Sequence, residues 1–150
     1  MKTFQLFDAG VNARPKGGDK GDCTVRALAV ARGMTYQESW ALLYRVQGEM
    51  AWCHFPLVQA LRAKDPRFGV IRQIDFPAER GRARMSGRVF AEKNRRGRFV
   101  LRMPNHVAAV KYGVVYDIFN STSKCVYTAW EIEPFEPFAN EGSGREGSVT

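Results

Sequence analysis

A change of hydrophobic period partway along the chain is the feature that most limits what it can fold into. Up to Lys64 the apolar residues recur at helical spacing, whereas from Gly69 to Ile132 they fall in short β-prone runs bounded by Gly, Pro, Asn and Ser. Helices followed by strands predict an α+β fold, with N-terminal helices packed on a C-terminal antiparallel β-sheet, and not an alternating parallel one. With 150 residues, 45% of them apolar, the chain can bury one sizeable core. A single domain over 1–133 is expected, followed by a flexible Gly/Ser/Glu-rich tail over 134–150.

Within that frame, Phe4 to Phe7 reads as a short strand and Gly10 to Gly21 as an exposed connection. A first helix starts near Cys23, buries Ala27, Leu28, Val30 and Ala31 on one side, and stops at Gly33. Thr35 and Glu38 form a capping box for a second helix through Gln47, with Trp40, Leu43 and Tyr44 on its apolar face. A third helix is expected over Pro56 to Lys64, facing inward with Leu57, Ala60 and Leu61. Further on, a brief strand around Val70 to Ile74 stops at Pro77, and Ser86 caps a short helix from Gly87 to Glu92. Strands are expected at Arg98 to Met103, Asn105 to Lys111, Val114 to Phe119 and Val126 to Ile132.

Composition narrows the function classes. No run of about eighteen apolar residues occurs and the N-terminus lacks the apolar stretch of a signal peptide, so a cytoplasmic protein without a membrane partner is expected. Cys23, Cys53 and Cys125 are an odd count without a C-x-x-C pair, which argues against a disulfide scaffold. The set Cys23, Cys53, His54, His106 and Cys125 has no standard zinc-ligand spacing, so neither metal nor cofactor is indicated. The net charge of +8 favours non-specific attraction to nucleic acid or acidic partners, and it concentrates between Arg80 and Arg98.

Cys23 occupies a chemically unusual place, where a glycine-rich polar loop turns into an apolar helix. A thiol in a first helical turn feels unpaired backbone N–H groups and the positive end of the helix dipole, both of which favour the thiolate. A small buried hydrophobe is the competing reading of the same residue. What would decide is a partner histidine. If Tyr112-Gly113 is a two-residue hairpin turn, Lys111 pairs with Val114, Val110 with Val115, Ala108 with Asp117 and His106 with Phe119. Side chains alternate, so His106 and Asp117 share a face while Asn120 lies on the other. A core histidine tied to a carboxylate would look the same locally, and adjacent Cys53 and His54 point apart and read as structural.

Asp22-Cys23-Thr24-Val25-Arg26-Ala27, together with Asn105-His106-Val107-Ala108-Ala109-Val110 and Gly113-Val114-Val115-Tyr116-Asp117, resembles the small papain-like cysteine peptidases of bacteria and phages. The resemblance spans Asp22 to Ile132 in order and fold pattern, with residue-level matches confined to those short blocks. It implies a papain-like fold and a peptidase or isopeptidase acting on a peptide or protein through an acyl-thioester. Cys23 would be the nucleophile, His106 the general base and acid, and Asp117 the residue that holds the imidazole. For a phage protein the compartment would be the host cytoplasm. One departure is Gly17, where the family carries a glutamine that helps stabilise the oxyanion. The Cys23 N–H can supply one donor, and Asn12, Lys20 or Asn120 are the accessory candidates. The departure motivates an alternative, a catalytically inactive peptidase-like binding module that uses its basic patch for nucleic acid or an acidic protein.

Overall fold

A computed structural model describes residues 2–7, 22–48 and 54–135. In chain order it contains β1 (Phe4–Leu6), α1 (Cys23–Arg32), α2 (Tyr36–Gln47), α3 (His54–Arg62), a 3-10 turn (Pro66–Phe68), β2 (Val70–Asp75), α4 (Gly87–Lys93), β3 (Arg98–Met103), β4 (His106–Lys111), β5 (Val114–Asp117) and β6 (Thr128–Ile132). The strands form one six-stranded mixed sheet in the order β1-β5-β4-β3-β6-β2. The architecture is α+β.

Local chemistry sets most of these boundaries. Gly33 adopts φ 73° and its N–H bonds the Ala29 carbonyl, which closes α1. In α2 the expected capping box forms, with the Glu38 N–H donating to Thr35 Oγ1 at 3.1 Å and the Thr35 N–H donating to Glu38 Oε1 at 2.9 Å. The apolar face of α2 is narrower than its sequence suggests, because Leu43 is fully buried while Tyr44 is exposed with its ring stacked on Trp40. Helix α3 begins at His54, two residues ahead of the expected Pro56, which still falls in the first turn where its missing N–H does no harm.

Alternation along the strands divides the core into two layers. Val100, Val107, Ala109, Trp130 and Ile132 meet α1, α2 and α3 on one face through Leu28, Leu43, Leu57 and Leu61. Phe99, Leu101, Met103, Ala108, Val110 and Val115 meet Phe90 and Ala91 of α4 on the other. Ile71 is left exposed by a register shift between Val70 and Arg72.

The sheet departs from a purely antiparallel one at a single edge. β1 pairs with β5 in parallel, Phe4 opposite Val115 and Leu6 opposite Asp117, so a strand from the helical half closes the open side of the β4–β5 hairpin. β4 starts at His106 and not at Asn105, because Pro104-Asn105 forms the turn from β3 and Asn105 takes φ 51°. β5 ends at Asp117 and β6 begins at Thr128. Pro134 and Phe135, placed in the expected tail, lie against α1, where the Phe135 N–H bonds the Arg32 carbonyl at 2.5 Å. Residues 136–150, most of that tail, and the 8–21 connection lie outside the described residues. Among the described residues no helix is long and apolar enough to cross a membrane.

Candidate functional site

Three elements meet at one end of the sheet: the start of α1, the start of β4 and the end of β5. The hairpin register accounts for two of them. Lys111 pairs with Val114, Val110 with Val115 and Ala109 with Tyr116, the pairing expected from a two-residue turn at Tyr112-Gly113. Both turn residues have positive φ, 50° and 80°. Alternation from that register carries His106 and Asp117 to one side, and His106 Nε2 lies 2.6 Å from Asp117 Oδ2.

Asp117 is held from three directions. Its Oδ2 also accepts from Ser121 Oγ at 2.7 Å, and its Oδ1 accepts from the Ile118 N–H at 2.8 Å. His106, Asp117 and Ser121 are all buried, which strengthens their mutual hydrogen bonds. The Phe119 ring tilts over the imidazole with centroids 5.0 Å apart. With Nε2 occupied by Asp117, Nδ1 is the ring nitrogen left for the thiol.

Cys23, half-buried, is a free thiol that packs against the helical core layer. Electrostatics ties it to the imidazole. Burial, the largest single influence on His106, disfavours the charged ring, yet hydrogen bonds to Asp117 and then to Cys23, followed by the charges of both, outweigh it and raise the pKa to about 9. The arrangement therefore favours an imidazolium lying between a carboxylate and a sulfur.

A second buried polar cluster flanks the thiol, and sequence reasoning missed it. Asp22 ion-pairs with Arg26 one helical turn on and accepts from the Tyr36 hydroxyl at 2.9 Å through Oδ2. The Asp22 side chain does not cap α1. Ser39 Oγ donates to the Val25 carbonyl at 2.8 Å, so α2 grips the first turn of α1 at two points. The i, i+4 spacing of Asp22 and Arg26 was the available signal. Ser121 had none, because a turn residue after a strand follows no period.

The other candidates are placed differently. Asn120 is exposed, and its Oδ1 accepts from the Thr122 N–H at 3.1 Å and Thr122 Oγ1 at 2.5 Å. Asn12, Gly17, Lys20 and Cys53 lie outside the described residues, as does the His54 side chain. Among the described residues no group of three or more His, Cys, Asp or Glu could hold a metal ion. The Arg80 to Arg98 segment is not one continuous face. Arg84 turns to the Phe76 carbonyl, Arg88 pairs with Glu92, Arg95 reaches the Gly113 carbonyl and Arg98 the Val30 carbonyl.

Comparison with protein-family models, with curated proteins and with solved structures found no match to this chain.

Proposed function

We propose that the chain is a papain-like cysteine hydrolase, a peptidase or isopeptidase that works through Cys23, His106 and Asp117. The observation that carries this reading is an imidazole bound to a buried carboxylate at 2.6 Å and raised to about 9 in part by the thiol at the start of α1. Cys23 sulfur adds to the carbonyl carbon, and the proton held on His106 passes to the leaving amine as the C–N bond breaks. Water then attacks the resulting thioester, His106 takes one of its protons, and the acid product leaves as the thiol is restored. Asp117 orients the ring and stabilises its charged form. The Cys23 N–H, at a helix start, is the donor available to the developing oxyanion.

Iodoacetamide labelling at neutral pH, mapped residue by residue, tests the proposal. Cys23 should be alkylated faster than Cys53 and Cys125, and His106→Ala should remove the difference while the protein stays folded. Equal, slow labelling of all three thiols in the wild type would count against a thiol hydrolase.

A further inference from the structure

At the same end of the sheet the fold gathers three arginines that are far apart in sequence. Arg62 comes from α3, Arg84 from the segment before α4 and Arg102 from β3, and together with Tyr127 they line an open cleft of about 390 Å³. The Arg84 guanidinium lies 4.7 Å from the Tyr127 ring centroid and that of Arg102 5.5 Å. Arg62 lies 5.7 Å from the Trp130 ring, and its Nη2 donates to Thr128 Oγ1 at 3.3 Å. Asp75 is the one carboxylate in the lining, 3.7 Å from Arg62. Among the described residues neither Arg84 nor Arg102 forms an ion pair, so three fixed cations face a single, largely exposed anion.

The cleft shares the end of the sheet that carries His106. Arg102 pairs with Val107 on β4 and with Thr128 on β6, and Thr128 pairs with Asp75, so one row runs from the residue after His106 across β3 and β6 to β2. Tyr127 and Trp130 already carry guanidiniums, so neither offers a bare ring on which a nucleic-acid base could stack.

We infer that this arginine cleft binds acidic side chains of a polypeptide, and that on the hydrolase reading this polypeptide is the substrate. The identification of the bound chain as substrate rests on the hydrolase reading; the affinity for carboxylates rests on the cleft alone.

Fluorescein-labelled oligoglutamate and an oligothymidylate of equal charge, titrated against the wild-type protein and followed by fluorescence anisotropy, test it. Oligoglutamate should bind more tightly, and Arg84→Gln/Arg102→Gln should weaken it at least about tenfold. Arg80→Gln/Arg96→Gln, the same charge change at exposed positions outside the cleft, should weaken it much less. If the cleft variant unfolds, Arg62→Gln at an exposed position decides, with a several-fold loss expected and unchanged binding contradicting the proposal. Equal losses in the two double variants, or tighter binding of the oligothymidylate, would overturn it. Cleft-dependent oligoglutamate binding without preferential Cys23 alkylation would defeat the hydrolase reading alone, while the converse would defeat the cleft alone.

Discussion

At the scale of single residues, the site depends on how firmly Asp117 is held. Its oxygens accept from His106, Ser121 and the Ile118 N–H, so rotation of the carboxylate breaks three bonds together. Asp117→Asn keeps the shape and removes the charge. We expect the His106 midpoint, followed by NMR of the imidazole, to move from about 9 back toward the ordinary 6.5. Neutral-pH alkylation of Cys23 should slow about tenfold or more. Ser121→Ala should act in the same direction but less, and Asn120→Ala, which disturbs only a turn with Thr122, should leave the rate unchanged. A midpoint that does not move in Asp117→Asn would show that the carboxylate does not govern the imidazole. The preference for Asp117 over Asn120 was legible because parity along a strand is a rule of geometry. Ser121 and the Asp22–Tyr36 bond were not, since each joins a loop or helix end to a partner that no period specifies.

The β4–β5 hairpin is the element that brings His106 and Asp117 together, and its turn sets the register. Tyr112 and Gly113 both lie in the left-handed region, where a Cβ is disfavoured, and a Cβ on Gly113 would stand 2.5 Å from Arg95 Nη1. Gly113→Ala should therefore cost about 1–2 kcal/mol, read as a lowered unfolding temperature. Tyr112→Asn should be neutral or stabilising, because Asn tolerates positive φ. An unchanged unfolding temperature for Gly113→Ala would mean the turn does not hold the register. The elements with chemical punctuation were readable in this way: Gly33 ended α1, the Thr35/Glu38 box began α2 and Ser86 capped α4. β1 was expected as a strand but not its parallel pairing, since three residues have too little pattern to name a partner so far along the chain.

Across the whole molecule, two apolar layers fix the sheet and leave its chemistry at one end, where α1 arrives with Cys23, β4 begins with His106 and β5 stops at Asp117. The α+β segregation was visible in the shift of period near Gly69. The arginine cleft was not, because Arg62, Arg84, Arg102 and Tyr127 come to it from separate parts of the chain that no period links. What joins these parts into a claim is the coupling of thiol and imidazole. Its direct measurement is the pH dependence of Cys23 alkylation in the wild type and in His106→Ala. Because His106 is raised to about 9, the ring is charged below that pH and neutral above it. The wild-type profile should therefore carry a second inflection at about 9, and at neutral pH its rate should exceed that of the variant, whose profile rises in one step. Superimposable single-step profiles from two folded proteins would contradict the account.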